Sequence, residues 1–314
     1  MKLRAYLLML FVAAVWGSTF VLIKSALTDA TPAAFNLLRM SLAFGLLAVA
    51  YRRAWRGVRW SHLAAGAVVG FFLAMGYQFQ TIGLVRTTPS KSAFITGLVV
   101  VLVPLFSAIP ALRPPKALPT RWNAYTGAVL AFIGILLLTA PAAIQTHGNG
   151  AFAGIAALLP DFSSINLGDV LTFGCSIGFA FHCIALSHVS PRIPFQPLAL
   201  LQIGFCAVFM AISLPMIEHP QIHFTPRLVV ALAIASALAT AAAFSIQSWA
   251  QAILPSTHIA LLLTLEPVFA WITSFLFTGE RLGLRPGVGA LLILAGIALT
   301  ELVPQPYVPS AHEA

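Results

Sequence analysis

Charge is what this sequence has least of. Only 8% of its 314 residues are Asp, Glu, Lys or Arg, whereas 60% are hydrophobic. Soluble domains carry about 25% charged residues, and a globule of this size could not cover its surface with so few. Disorder is excluded by the same numbers, because disordered chains combine low hydrophobicity with high net charge. Cysteine is scarce as well, and three residues build no disulfide framework. No His or Cys spacing suggests a metal site, and no Walker lysine offers direct ATP drive. No cofactor is expected, and neither end carries a lipidation signal. The net charge of +9 sits in short clusters between apolar runs, without a basic groove or an aromatic platform, so no nucleic-acid partner is expected. The composition fits an all-α integral membrane protein, solvated by membrane lipids.

A bilayer core about 30 Å thick needs roughly 20 apolar residues at 1.5 Å each. Ten such runs occur, near 5–27, 33–51, 62–83, 91–111, 122–140, 169–188, 196–217, 227–250, 256–277 and 286–302. They leave no room for a soluble domain. The first run follows Lys2 and Arg4 but is too long for a signal-peptide core and lacks a cleavage site, so it reads as a retained helix. Lys and Arg in the short loops, above all Arg52, Arg53, Arg56 and Arg59, place the N-terminus inside, and an even span count returns the C-terminus there. The connection 141–168 falls outside, and the Pro-rich tail 304–314 reads as disordered.

The two halves share a plan. Gly127-Ala128, Leu130, Gly134-Ile135 and Leu137 in the fifth span align at one offset with Gly289-Ala290, Leu292, Gly296-Ile297 and Leu299 in the tenth. Pro104-Leu105-Phe106 matches Pro267-Val268-Phe269, Pro89-Ser90 matches Pro255-Ser256, and Arg39 falls level with Gln202. The predicted division is a five-helix repeat over 1–140, a connecting loop over 141–168, a second five-helix repeat over 169–303 and the tail 304–314. Five spans are an odd number, so the second copy enters the bilayer upside down. Many secondary transporters use such inverted repeats to alternate access around a midplane site.

The run W-G-S-T-F-V-L-I-K from Trp16, the stretch from Pro32 to Arg39, the segment T-T-P-S-K-S-A-F-I-T-G-L-V-V-V-L-V-P from Thr87 to Pro104, and L-E-P-V-F-A-W-I-T-S-F-L-F-T-G-E-R-L from Leu265 to Leu282 resemble the drug/metabolite transporter superfamily. The EamA-like branch, with two five-helix repeats, is the best match, and the resemblance spans nearly the whole chain. Arg113-Pro114-Pro115-Lys116 departs from it, since the second repeat has Gly279-Glu280 at the matching place. The resemblance implies a bacterial inner-membrane permease, an exporter of small metabolites such as amino acids. It leaves the substrate open.

Glu266 is the sharpest chemical signal. Of the eight acidic residues it alone lies near the middle of an apolar run. A carboxylate at that depth costs several kcal/mol unless it is protonated, paired or hydrated. Pro267 follows it and cannot donate the helical hydrogen bond that would go to Leu263. Glu266 is therefore the candidate for proton coupling or for holding a substrate amine, against the plainer reading of a structural acid bonded to a neighbouring helix. Arg39 can bind a carboxylate or phosphate through two parallel hydrogen bonds; its structural alternative is pairing with Asp29. Lys24 is read as snorkelling to the outer interface.

The substrate-binding candidates are Trp16, Arg39, Tyr77, Gln78, Gln80, Gln247, Trp249 and His258. Amides within lipid need partners, so the glutamines should face the bundle or a wet cavity, with helix–helix adhesion as the alternative. His182 reads as an isolated bundle histidine and Trp271 as cavity or packing. Pro104 and Pro267 are the candidate hinges. Gly174-Cys175-Ser176-Ile177-Gly178 satisfies a hydrolase pattern but lies in an apolar helix, where its glycines serve packing. The expectation is a carrier with a central cavity for a small-molecule substrate, worked by a pH gradient or by facilitated diffusion. A membrane enzyme and a non-transporting scaffold are the alternatives. A homodimer stays open, because lipid-facing and partner-facing apolar surfaces have the same composition.

Overall fold

The structure is a computed structural model that describes residues 2–113, 122–139, 166–251 and 262–302. Its described residues are all-α and form ten helical spans of a membrane protein in two repeated halves. The first half comprises α1 (Lys2–Ala26), α2 (Pro32–Ala50), α3 (Trp60–Leu84), a split fourth span made of α4 (Pro89–Thr96) and α5 (Val99–Ser107), and α6 (Trp122–Thr139). In the second half are α7 (Leu167–Val189), α8 (Phe195–Ile217), an eighth span of α9 (Pro226–Ser236) and α10 (Ala243–Gln251), then α11 (Glu266–Thr278) and α12 (Leu284–Leu302). Seven helical stretches are long and apolar enough to cross a bilayer, and α6 and α12 are shorter apolar helices.

Several helices start with the same local chemistry. Thr88 and Thr225 accept hydrogen bonds from Lys91 N and Leu228 N, each with Pro in the first turn behind it. A threonine oxygen satisfies an orphan N–H, and proline removes a second one while fixing φ. Asn166 does the same for α7 through Gly168 N.

The fifth and tenth spans show the inverted repeat in atomic terms. A Cβ on Gly127 would lie 2.4 Å from Gly296 O, and one on Gly296 2.4 Å from Gly127 O. Gly134 and Gly289 meet likewise, at 2.6 and 2.5 Å. The aligned pairs are Gly127 with Gly289 and Gly134 with Gly296, so each glycine touches the equivalent of its neighbour. A two-fold crossing of matched helices produces that exchange, and glycine lets the backbones come so close.

One end of the bundle carries the connections after α1, α3, α8 and α11. There Asp29 accepts two hydrogen bonds from Arg227 at 2.8 and 2.7 Å and one from Thr225 at 2.7 Å. These bonds, Arg227's above all, hold the Asp29 carboxyl down at about 2. Gly279 closes α11 at φ +71°, a left-handed cap that glycine takes without strain. The turn brings Glu280 onto α4, where it accepts from Ser90 Oγ at 2.8 Å. Residues 50–62 and 194–197 meet around one pocket at the opposite end, as an odd number of spans per repeat requires. We call the two ends the carboxylate face and the arginine face.

Candidate functional site

Between the halves lies a cavity of about 110 Å³, lined by the first four spans together with α7, α10 and the start of α11. A water needs about 10–15 Å³ on this measure, so the space holds several waters or a small solute. Trp16, Arg39, Tyr77, Gln80, Gln247 and Glu266, named from the sequence, all line it. Thr19, Thr96, Phe179, His182, Cys183 and Phe244 line it too, although the sequence did not single them out as site residues.

Arg39 lies mid-way along α2 and is 2% exposed. Its Nε donates to Thr240 Oγ1 at 2.8 Å, and Nη2 reaches Tyr77 Oη at 3.3 Å and Ala239 O at 3.4 Å. The guanidinium sits 4.5 Å from the Tyr77 ring centroid, a cation–π distance. Every one of these partners is neutral. Asp29, the alternative partner considered from the sequence, is taken by Arg227. Nη1 makes no hydrogen bond among the described residues, which leaves donors of the planar fork for a ligand.

Thr240 and Ala239 belong to a π-helical turn, Ala237–Ala242, that joins α9 to α10. Single π turns recur at functional sites because the wider ring re-aims groups that an α turn would bury in its own ladder. Here Ala239 O also accepts from Trp16 Nε1 at 2.8 Å. Trp16 and Tyr77 pack on Phe244 at 5.5 and 6.4 Å, and Tyr77 meets Phe179 edge-on at 5.1 Å. The result is an aromatic box with one buried cation on its wall. The repeat is visible within it: positions 163 apart pair Trp16 with Phe179, Thr19 with His182, Arg39 with Gln202 and Tyr77 with Thr240. His182 bonds Gln202 at 2.9 Å, so the second half places a histidine–glutamine pair where the first half holds the arginine.

Glu266 lies in the first turn of α11, just after the chain turns at Thr264–Leu265. Its carboxylate makes no hydrogen bond or ion pair among the described residues. A half-helix starting at mid-membrane turns its positive end toward the cavity. The fourth span is broken in the same way at Gly97–Leu98, and the two breaks face each other: a Cβ on Gly97 would lie 3.1 Å from Pro267 Cγ. Pro267 thus sits at a break, whereas α5 continues through Pro104, and the interruption lies several residues before it. Gly97 ends α4 without proline, so the sequence signal for this break was misplaced.

Gln80 donates to Thr96 at 3.3 Å, and Gln247 faces the cavity with no partner among the described residues. Two candidates lie elsewhere. Gln78, one residue past Tyr77 and so about 100° round the helix, accepts from Asn36 at 2.9 Å and donates to Ser213 at 3.4 Å. Trp249 packs in the α1–α10 seam with the Arg4 guanidinium 6.0 Å from its ring. His258 falls outside the described residues. Lys24 does not snorkel: its Nζ donates to Leu84 O at 2.8 Å and Val85 O at 3.3 Å, closing the C-terminal end of α3. Trp271 is 38% exposed and packs on Phe275 on the outer side of α11.

A model of the EamA-like transporter family matches residues 3–140 and 166–302. An uncharacterized transporter of Archaeoglobus fulgidus is 28% identical over 310 residues, covering 96% of this chain and 87% of its own. The uncharacterized transporter YdfC of Bacillus subtilis is 24% identical over 290 residues, covering 91% and 87%. A protein of known crystal structure superposes with a TM-score of 0.61 at 18% identity, over 96% of this chain and 99% of its own, which shows the shared fold.

Proposed function

The chain belongs to the EamA-like transporter family, and on that footing we propose that it is a secondary carrier that exports small zwitterionic metabolites, amino acids among them, by alternating access. Membership makes it a membrane transporter and sets aside the membrane enzyme weighed from the sequence. One observation carries the finer reading: a buried cation, Arg39, and a carboxylate, Glu266, line the same cavity, and neither is paired with an opposite charge among the described residues. A zwitterion answers both. Its carboxylate takes the free edge of the guanidinium, its ammonium takes Glu266, and the aromatic box accepts an apolar side chain.

Glu266 also provides the coupling. When no solute is bound, a proton neutralises the carboxylate, which a cavity within lipid otherwise penalises. Solute and proton thus compete for one group, and that competition is proton exchange. The facing breaks at Gly97–Leu98 and Thr264–Leu265 let the halves rock about the cavity. The arginine face is assigned to the cytoplasm of a bacterial inner membrane by its Lys and Arg content.

The test is counterflow into liposomes containing the purified chain, with a panel of amino acids, amines and organic acids, with and without a pH gradient. Zwitterions should exchange best, and an imposed gradient should drive them uphill. Exchange of amines and acids at equal rates, with no preference for zwitterions, would refute the paired-charge reading.

A further inference from the structure

We propose that the pocket on the arginine face, between the α2–α3 connection and the start of α8, binds the phosphate group of an anionic phospholipid. The pocket encloses about 640 Å³ and lies at the end of the bundle, apart from the central cavity. Arg52 and Arg53 line it; both are exposed, and neither side chain makes a hydrogen bond or ion pair among the described residues. His62 lines it as well, with a buried Nδ1 that has no partner among the described residues. Its third wall is the first turn of α8. Pro194 caps that helix and supplies no side-chain acceptor, while Gln196 and Pro197 face the pocket. The start of α8 presents a positive dipole end, although Pro197 has no N–H and Leu198 N is bonded to Pro194 O, so of its first turn only Gln196 brings an N–H to the pocket lining. Two unpaired guanidiniums, a polar ring nitrogen and the positive end of α8 border one volume, an arrangement suited to phosphate oxygens.

The charge balance separates this pocket from the other end of the molecule. On the carboxylate face Arg227 is closed by Asp29, and Asp169, Glu218 and Glu280 lie at the same level. On the arginine face the described helices bring one acidic residue, Glu301 in the last turn of α12, against Lys2, Arg4, Arg52, Arg53, Arg56 and Arg59. Such an excess of cations attracts anionic headgroups, at about 1 kcal/mol per Lys or Arg.

Three features select a lipid over free phosphate. Trp60 and Trp55 flank the pocket at 86% and 42% exposure, as aromatic side chains do at headgroup level. On α2, Leu42, Leu46 and Val49 form one exposed apolar stripe that runs up to Ala50 at the pocket. An acyl chain lying on that stripe leaves its phosphate at Arg52 and Arg53. A soluble anion uses neither the stripe nor the tryptophans.

The experiment uses the full chain in phosphatidylcholine nanodiscs with increasing phosphatidylglycerol. Bound lipid is read by native mass spectrometry, and protection is read as the shift in unfolding temperature. Saturable binding of phosphatidylglycerol is expected. Arg52→Gln/Arg53→Gln should weaken it roughly thirtyfold, about fivefold per arginine. Lys2→Gln/Arg4→Gln removes the same charge from the same face and should leave binding intact. Arg52→Lys/Arg53→Lys should keep most of the binding, which shows that lost charge and not misfolding is responsible. Equal losses in both Gln pairs, or in the Lys pair, would overturn the site, as would equal retention of phosphatidylcholine. Protection by millimolar inorganic phosphate equal to that by phosphatidylglycerol, and dependent on Arg52 and Arg53, would overturn the lipid assignment. No transport is measured, so the outcome is independent of the substrate reading.

Discussion

Alanine at Gly17 and at Gly174 makes the same chemical change in two helix interiors with opposite surroundings. Alanine is favoured over glycine by about 0.8–1 kcal/mol in a helix interior. At Gly174 an added Cβ meets nothing nearer than the Phe79 ring at 3.6 Å, an ordinary contact. Gly174→Ala should therefore stabilise by up to about 1 kcal/mol. At Gly17 the Cβ would lie 2.5 Å from Glu266 O, 2.7 Å from Phe269 Cβ and 2.8 Å from Ala270 N. Carbon contacts settle near 3.5–4.0 Å, so α1 and α11 must separate by about 1 Å, and two of the three obstacles are backbone atoms that no rotamer change can move. Overpacking of this kind costs about 1–3 kcal/mol, which outweighs the helix-propensity gain. The two variants should differ by about 1–3 kcal/mol in opposite directions, read as unfolding free energies of the purified proteins titrated side by side in mixed detergent. Gly17→Ala also pushes on the turn that carries Glu266, so its exchange rate should fall further than its folded yield. Shifts of the same sign and size in both variants would refute the close-approach argument.

Glu266→Gln should abolish the response of transport to a pH gradient while leaving solute exchange measurable in liposomes. Arg39→Gln should weaken carboxylate-bearing solutes by about ten- to a hundredfold, the loss of a charged hydrogen-bonding partner, and leave simple amines unchanged in a competition assay. Asp29 has a folded-state value near 2 against an unfolded value near 4. Its contribution to stability is therefore complete above pH 4 and lost as pH falls toward 2; Asp29→Asn should flatten the stability curve across that window in an acid titration. In a cysteine-free background, Gly57→Cys and Ser190→Cys should react with an impermeant maleimide from one side of the membrane, and Thr28→Cys from the other.

The bilayer made the fold legible. Lipid cannot satisfy backbone polar groups, so each crossing must be a helix written as an apolar run. The spacing shared by Gly127–Gly134 and Gly289–Gly296 exposed the repeat because close helix crossings tolerate little else. Rotational phase was the missing information. A helix apolar on all sides gives no clue to which face meets lipid, so Gln78 and Gln80 looked equivalent until packing turned Gln80 to the cavity and Gln78 toward Asn36. His182 and Thr19 carried no signal beyond their identity. The π turn at Ala237–Ala242 has neither glycine nor proline, and the break at Gly97 drew less notice than Pro104 nearby.

That wide turn has a mechanical corollary. A π turn accommodates one residue more than the α ladder around it, and conversion to regular helix would twist everything beyond it by about 100° and advance it by about 1.5 Å. Gln247 would swing off the solute's wall, and the Ala239 oxygen would lose its aim at Trp16 and Arg39. Arg39, bonded to Thr240 and to the Ala239 oxygen, ties this setting of the eighth span to α2.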